Sequence, residues 1–348
     1  MQRLSATALD RAVELLKAGG LVAFPTETVY GLGADASNPN AVARVFSVKG
    51  RPKGHPLIVH AGSLVQAMPL ASAWSKTAQA LAAAFWPGPL TLILPASPLA
   101  LPEVTGGQTS VGLRVPNHPV ALALLARFAA AGGSGWLAAP SANVFGAVSP
   151  TRAQDVVRGL EARMGAHDAV LEGGDSAVGL ESTIIDCTVN PPRLLRPGGI
   201  PREAIDAVVR LANADADADA VTQASAPRVS GSLASHYAPR TRLRLLSRRE
   251  MRERMDEMRG GSSRIAVWWM SEDAADSADP VVARLRADPR VELLPAPAQA
   301  QAYGQQLYAR LNDWDQAGFD EIWLERPPAT RDWEAVMDRL RRASHVQP

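Results

Sequence analysis

Residues 45–60 read VFSVKGRPKGHPLIVH and place a cluster of cations between two apolar segments. Upstream, Asn38 is a candidate N-cap followed by proline, and apolar residues then recur at helical spacing as far as Lys49. Gly50 predicts the end of this helix in a left-handed conformation. Downstream, residues 57–59 form a short apolar run that predicts a buried strand, so the polar stretch joins a helix to a strand.

The cations of this stretch allow two interpretations. Lys49 and Arg51 could form an anion site at the helix exit, or they could only complement the negative end of the helix dipole, an effect of roughly 0.3–1 kcal/mol. Two histidines, His55 and His60, and several loop-forming residues follow in the same segment. We expect an anion site at Lys49 and Arg51, and a surface position for Lys53.

Composition limits the classes of protein to which the chain can belong. Its 348 residues, 47% of them hydrophobic, suffice for two domains with separate cores. The formal charge of +1, from 36 basic and 35 acidic residues, argues against a protein that coats nucleic acid or an anionic membrane, so anion recognition must be local. The N-terminus lacks a signal-peptide pattern, and no apolar run approaches the roughly 18 residues of a membrane span. We therefore expect a cytoplasmic protein.

The single cysteine, Cys187, lies in an apolar segment and is expected to be a buried structural thiol, not a nucleophile. One cysteine cannot form a disulfide within the chain, which is compatible with a reducing compartment. The same count excludes the paired cysteine spacing of zinc sites.

The first 211 residues alternate predicted strands with predicted helices, and this alternation indicates one α/β domain with a mixed sheet. Polar loops follow several strands: residues 25–33 read PTETVYGLG, and residues 140–143 read PSAN. Ligands of α/β domains bind at such strand ends. The chain has neither the dinucleotide-binding glycine pattern nor a phosphate loop of the type G-x-x-x-x-G-K-[ST], so a nucleotide would be bound in another way.

Two further residues allow predictions from their neighbours. Arg114 lies among apolar residues in the predicted strand at residues 110–115 and needs an anionic partner, because burying an unpaired charge costs several kcal/mol. A structural carboxylate and a substrate carboxylate are equally good candidates for that partner. Thr151 and Gln154 form a capping-box pattern, which predicts that Thr151 is a helix N-cap.

Residues 212–226 are rich in alanine, aspartate and small polar residues, a composition that predicts a linker. Three aspartates occupy alternate positions, Asp215, Asp217 and Asp219. They could be read as metal ligands, but a solvated spacer is the better interpretation.

A second α/β unit follows the linker. Predicted strands and helices alternate from residue 241 to residue 348, which is typical of a small doubly wound, Rossmann-like domain. The arginines of residues 240–249 could contact nucleic acid, but the acidic residues of the next helix favour a salt-bridged face. We thus predict domains at residues 1–211 and 241–348, joined by a linker at residues 212–240.

Four dispersed motifs occur in order: PTETVYGL at residues 25–32, KGRP at 49–52, PSAN at 140–143 and SHYAP at 235–239. Together they closely resemble the L-threonylcarbamoyladenylate synthase family in its long, two-domain form. The resemblance implies a YrdC-like twisted mixed sheet with flanking helices, followed by an extra C-terminal domain. It also implies synthesis of threonylcarbamoyl-AMP from L-threonine, bicarbonate and ATP, with release of pyrophosphate, for threonylcarbamoyladenosine modification of tRNA.

The resemblance also implies residue roles. Lys49 and Arg51 would be the catalytic cations, because this reaction needs no enzyme nucleophile and depends on positioning anions and neutralising phosphate charge. Arg114 would pair with the threonine carboxylate, and His236 would close over the nucleotide as part of a lid. The residues implied for ATP are Lys49, Arg51, His55, Ser110, Ala139, Ser141, Asn143, Ser149, Arg196 and His236, and those implied for threonine are Thr28, His60, Arg114 and Ser182.

Mg²⁺ is expected with ATP, at a position that no carboxylate cluster in the sequence defines. The tRNA threonylcarbamoyl-transfer machinery is the implied downstream partner, and the near-neutral charge argues against direct tRNA binding. Two alternatives remain: another carbamoyl-adenylating enzyme, of the hydrogenase-maturation type, and a non-catalytic double-stranded RNA-binding module. The single cysteine disfavours the first and the charge balance disfavours the second.

Overall fold

The structure is a computed structural model that describes residues 1–212, 226–231, 236–258, 261–270 and 279–345. The chain divides into two compact units: Met1–Phe145 with Ser149–Ser232, and Gly146–Val148 with Leu233–Pro348. The predicted spacer aspartates Asp215, Asp217 and Asp219 lie outside the described residues, as does Ser235 of the SHYAP motif.

The first unit is built on a mixed sheet that contains ten strands of the described residues. These are β1 (Gln2–Leu4), β2 (Val22–Phe24), β3 (Gly31–Asp35), β4 (Ile58–Ala61), β5 (Leu90–Pro95), β6 (Ser110–Arg114), β7 (Trp136–Ala138), β8 (Ala169–Leu171), β9 (Thr183–Asp186) and β10 (Arg193–Arg196). Their order in the sheet is β1-β8-β2-β3-β7-β4-β6-β5-β9-β10. The β4–β6 and β5–β9 pairs are parallel and the β2–β3 and β5–β6 pairs antiparallel, which confirms the predicted mixed sheet.

Helices cover both faces of this sheet. In the described part of the unit they are α1 (Leu9–Lys17), α2 (Pro39–Lys49), α3 (Leu64–Ala67), α4 (Lys76–Phe85), α5 (Pro102–Thr105), α6 (Pro119–Ala130), α7 (Ala153–Leu160) and α8 (Arg202–Asp206). Successive residues of β2 enter different apolar clusters, Ala23 in one and Val22 and Phe24 in the other. Because side chains alternate across a strand, the two clusters lie on opposite faces.

The segment from α2 to β4 forms as its residues predict. The Asn38 side chain caps α2 by accepting hydrogen bonds from the backbone N–H groups of Asn40 and Ala41, and Gly50 ends the helix at φ 62°. Lys49, the last helical residue, is 1% exposed. The capping residues therefore place Lys49 at the helix exit.

The polar loop predicted at residues 25–33 is shorter than expected, because β3 already begins at Gly31. A Cβ atom on Gly33 would lie 2.8 Å from the ring of Phe24 in the paired strand. The glycines predict a loop, but here they form a strand, because glycine lets the ring of Phe24 pack closely on the backbone.

The capping-box prediction for Thr151 was wrong. Helix α7 begins at Ala153, Arg152 occupies its N-cap position, and the Arg152 side chain does not cap it. Thr151 is instead buried, and its carbonyl accepts a hydrogen bond from the N–H of Ser176. Asp155 supplies negative charge in the first turn, which the positive end of the helix dipole favours.

The second unit contains a four-stranded sheet of β11 (Arg242–Leu246), β12 (Ile265–Met270), β13 (Val291–Ala296) and β14 (Glu321–Glu325). The strand order is β11-β14-β12-β13, and all three pairings are parallel. Its described helices longer than one turn are α9 (Arg248–Glu257), α10 (Pro280–Ala287), α11 (Ala300–Gln316) and α12 (Glu334–Ala343). This parallel α/β unit confirms the predicted fold class. Within the described ranges, no helix combines the length and apolar character needed to cross a membrane.

Four of the arginines that precede and open α9 are engaged in ion pairs: Arg240, Arg244, Arg248 and Arg249. Arg244 binds Glu321 at 2.8 Å. Arg249 binds Glu253 at 2.8 Å on the helix surface. This arrangement confirms the salt-bridged face and disfavours a nucleic-acid contact at these residues.

Cys187 directly follows β9 and is 7% exposed. Burial, followed by the charge of Asp186, raises the pKa of its thiol to about 12, as expected for a structural cysteine. We expect iodoacetamide at pH 8 to alkylate Cys187 at least about 100-fold more slowly in the native protein than in guanidinium chloride, because both thiolate fraction and access are reduced. Mass spectrometry of timed samples measures the two rates, and equal rates would contradict this assignment.

Candidate active site

Lys49 lies against the loop that follows β7. Its Nζ donates hydrogen bonds to the carbonyls of Ser141 (2.6 Å) and Asn143 (2.5 Å). Burial, followed by the charge of Arg51, lowers the pKa of Lys49 well below its ordinary value. An ammonium group has three donors, so a third hydrogen bond can go to an anion bound at this loop.

Arg51 is 6% exposed and lies next to the aromatic ring of Phe145. Its Nη2 donates to the carbonyl of Pro56 (2.9 Å) and to the hydroxyl of Ser230 (3.0 Å). The guanidinium carbon is 5.4 Å from the Phe145 centroid, and His55 packs edge-on to the same ring, also at 5.4 Å. The structure thus brings Arg51 and His55 together through Phe145. Burial, followed by the charge of Arg51, lowers the pKa of His55.

Arg196 at the end of β10 faces the same serine. Its Nη1 donates to the carbonyl of Ser230 at 2.8 Å, and its Nη2 donates to the carbonyl of Ser182, also at 2.8 Å. The Ser182 hydroxyl is 2.8 Å from that of Thr91 on β5. Ser230 therefore contacts both arginines that the resemblance implies for ATP, Arg51 and Arg196.

Arg114 at the end of β6 has a carboxylate partner in Glu27, with Nη2 and Oε1 2.7 Å apart and both side chains buried. Its Nη1 donates to the hydroxyl of Thr28 at 2.9 Å, and its Nε donates to the carbonyl of Gly88 at 3.3 Å. His60 is its neighbour in register on β4. Burial, followed by the charge of Arg114, lowers the pKa of His60 to about 3, so this imidazole is neutral near pH 7.

The sequence left the partner of Arg114 open between a structural and a substrate carboxylate. The structure provides the structural one, Glu27, from the loop between β2 and β3. Pairing of Arg114 with a threonine carboxylate stays a prediction.

Three further residues that the resemblance implies for ATP, Ser149, Ser110 and Ala139, have other surroundings. The Ser149 hydroxyl donates to Oε1 of Glu181 at 2.6 Å. Ser110 lines a small cavity together with Ser230. Ala139 is buried directly after β7, where its N–H donates to the carbonyl of Ile58.

The His236–Tyr237 pair of the SHYAP motif lies in the second unit. Tyr237 is 1% exposed and has φ 63°, which is unfavourable for a residue with a side chain. Its ring stacks on Tyr308 with centroids 5.7 Å apart, and the Arg339 guanidinium lies 5.3 Å from it. These tertiary contacts hold Tyr237 in the strained backbone conformation.

Sequence reasoning did not single out several residues that contact the predicted ones. Glu27 could have been found, because it is the carboxylate within the PTET motif. The others lie in segments without a distinctive pattern, and only tertiary contacts reveal them. The missed residues are Glu27, Thr91, Phe145, Glu181 and Ser230.

Among the residues that the structure describes, no group of three or more histidine, cysteine, aspartate or glutamate side chains could hold a metal ion. Mg²⁺ bound with nucleotide phosphates needs only one or two protein carboxylates. The expected Mg²⁺ therefore stays a prediction.

Fold and site define an α/β protein of two units, whose first unit concentrates buried cations and hydroxyls at the strand ends of a mixed sheet, as an anion-binding enzyme would. Two family models match the chain. One, the Sua5/YciO/YrdC family described as telomere recombination, matches residues 14–198, and the other, the C-terminal domain of threonylcarbamoyl-AMP synthase, matches residues 200–345. The chain belongs to the threonylcarbamoyl-AMP synthase family, in the form that carries this C-terminal domain.

Individual relatives agree with this membership. A threonylcarbamoyl-AMP synthase of Bacillus subtilis is 38% identical over 97% of this chain and 92% of its own length. One of Pyrococcus abyssi is 36% identical over 99% of this chain and 96% of its own. The crystal structure of P. abyssi Sua5 complexed with L-threonine is similar with a TM-score of 0.81 and 34% identity, and covers 99% of this chain and 97% of that one. The family suggested by the four sequence motifs is thus confirmed.

Proposed function

We propose that the chain synthesises L-threonylcarbamoyladenylate from L-threonine, bicarbonate and ATP, releases pyrophosphate, and supplies the product for threonylcarbamoyladenosine modification of tRNA. The observation that carries this proposal is the convergence of Arg51 and Arg196 on one short segment at Ser230. Both arginines are at most 6% exposed. Relatives aligned over nearly the whole chain are named threonylcarbamoyl-AMP synthase, which supports the same reaction.

The proposed role of the arginines follows from the charge that develops on ATP. When a carbamate oxygen attacks the α-phosphorus, negative charge builds on the leaving pyrophosphate and must be neutralised. Arg51 and Arg196 now donate to neutral oxygens of Ser230 and of backbone carbonyls. A guanidinium often forms bidentate hydrogen bonds with phosphate, and the negative charge of phosphate adds a Coulomb attraction that a neutral oxygen lacks. A bound triphosphate would therefore draw both arginines away from Ser230.

Lys49 would act on the same phosphates. Burial disfavours its charged form, and a nearby polyanion has the opposite effect on a lysine pKa. Bound ATP would therefore raise the pKa of Lys49 and favour its charged form.

We further propose that Thr28, His60, Arg114 and Ser182 hold threonine. A solved P. abyssi relative is complexed with L-threonine, which supports a threonine site in this family. The neutral imidazole of His60 suits hydrogen bonding to an uncharged hydroxyl, whereas Arg114 suits a carboxylate.

Three expectations from the sequence complete the proposal. Mg²⁺ would be carried by the ATP phosphates and neutralise part of their charge. His236 would belong to a lid that shields the labile product from water. The product would pass to the tRNA threonylcarbamoyl-transfer machinery, with the cytoplasm as the predicted location.

The deciding experiment measures pyrophosphate released from ATP, with L-threonine and bicarbonate each present or omitted. Release should require both, and mass spectrometry should detect threonylcarbamoyl-AMP. Release with carbamoyl phosphate in place of threonine and bicarbonate would favour another carbamoyl-adenylating enzyme. Tight binding of double-stranded RNA without any pyrophosphate formation would favour the RNA-binding alternative and refute the synthase.

A further inference from the structure

The Glu27–Arg114 pair has an unusual hydrogen-bond pattern for a buried ion pair. The two side chains are 7% and 5% exposed, and Oε1 of Glu27 lies 2.7 Å from Nη2 of Arg114. Among the described residues, however, neither carboxylate oxygen of Glu27 accepts a hydrogen bond of acceptable geometry, and Nη2 of Arg114 donates none. Buried charges are stable only when hydrogen bonds satisfy them, so these three atoms lack the partners that such a pair needs.

A bound α-amino acid supplies the missing partners. Its ammonium group donates hydrogen bonds and its carboxylate accepts them, and both groups are attached to one carbon atom. A carboxylate and a guanidinium that lie side by side, with Oε1 and Nη2 2.7 Å apart, are complementary to this zwitterion in charge. The resemblance already implies that Arg114 binds the threonine carboxylate, whereas binding of the ammonium group by Glu27 is new.

We propose that Glu27 binds the α-ammonium of threonine and accepts its proton before the carbamate forms. This inference rests on the proposed function. The ammonium passes one proton to the Glu27 carboxylate and becomes a free amine. The amine nitrogen then forms a bond to the carbon of bicarbonate as a C–O bond breaks, and the products are the carbamate anion and water. Glu27 afterwards returns its proton to solvent, so the step is balanced.

The position of Glu27 suits this role better than that of His60, the neighbour of Arg114 on β4. His60 is a poor proton acceptor, because burial and the charge of Arg114 both oppose its protonation. Glu27 is in contact with Arg114, and it is adjacent in sequence to Thr28, whose hydroxyl already contacts that arginine. The carboxylate of Glu27, the hydroxyl of Thr28 and the guanidinium of Arg114 therefore lie together, as the binding of one amino acid requires.

The test compares two ligands that differ only at the amine: L-threonine, and its analogue with hydroxyl in place of the amine. Isothermal titration calorimetry on the full chain measures the dissociation constant of each. In Glu27→Gln, we expect that of threonine to rise at least tenfold and that of the analogue to stay equal or fall. Loss of packing alone would weaken both ligands equally. The exposed Glu103→Gln removes the same charge and should change neither value.

A second variant guards against misfolding of Glu27→Gln, which circular dichroism would reveal. Glu27→Asp keeps the charge but withdraws it by one methylene, so threonine should again bind at least tenfold more weakly and the analogue should not. Equal changes for both ligands, or no change, would overturn the role of Glu27.

Turnover separates this inference from the proposed function. If wild-type protein releases pyrophosphate with threonine and Glu27→Gln does so at least 100-fold more slowly, with the binding pattern above, both stand. If both proteins turn over equally, only the Glu27 inference fails. If wild-type protein neither binds nor uses threonine, the proposed function fails and this inference fails with it.

Discussion

Replacing Arg51 with alanine should lower kcat/KM for ATP by about 10²–10³-fold, the effect typical of removing one preorganised donor to a charge that develops in the transition state. Arg51 is almost fully buried, and its contacts include the carbonyl of Pro56, the hydroxyl of Ser230 and the ring of Phe145. Initial rates of threonine-dependent pyrophosphate release, measured against ATP concentration, provide the test.

Two companion variants make this result specific. Lys53→Ala removes an exposed cation from the same loop and should change kcat/KM less than about twofold, as expected for a surface charge. Lys49→Ala should also abolish most activity, although it leaves the carbonyls of Ser141 and Asn143 without their present donor. If both Arg51→Ala and Lys49→Ala retain full turnover while folded, the active site lies elsewhere.

The position of these cations was predictable because its causes are local. An asparagine cap, a proline and a C-terminal glycine define α2 within one stretch of chain, and the structure has the cap and the φ angle that they predict. The alternation of elements in the second unit was predictable for the same reason. Where the prediction failed, at residues 31–33 and at Thr151, the cause was tertiary: packing of Phe24 on Gly33 in the first case and burial beside Ser176 in the second.

The candidate site was predictable only in part. Motifs and resemblance indicated the cations, but they did not show which oxygens those cations contact. Ser230 lies 34 residues from Arg196 and 179 from Arg51 along the chain, and no local pattern relates such distant residues. For Arg114, burial in a strand required an anionic partner, and only the folded chain identifies Glu27 among many carboxylates.

The site also depends on Asp168, a buried residue near the starts of the parallel strands β2 and β8. Its side chain is fully buried just before β8 and accepts hydrogen bonds from the N–H of Leu21, just before β2, and from the N–H of Gly165. Both Nη2 contacts of Arg44 to this carboxylate are 2.8 Å. Asp168 thus fixes the start of two neighbouring parallel strands, and β2 leads directly into the loop of Glu27.

Replacing Asp168 with alanine should therefore lower the free energy of unfolding of the first unit by about 2–4 kcal/mol. Two effects contribute to this loss. The buried N–H of Leu21 is left without an acceptor, and Arg44 loses its charged partner. The second effect is reduced because Arg44 is 39% exposed and water screens its charge. Urea unfolding followed by circular dichroism measures the change, with one transition allowed for each unit.

Glu161→Ala is the matched control for Asp168→Ala. Its carboxylate pairs with Arg3 at 3.7 Å, and the two side chains are 59% and 60% exposed. Water satisfies both groups when such a pair is broken, so the expected loss is at most about 1 kcal/mol. If Asp168→Ala costs no more than this control, the carboxylate does not anchor the two strands, and their register must depend on the apolar clusters alone. If it costs several times more, the strand that delivers Glu27 is held by charge at its start as well as by packing along its length.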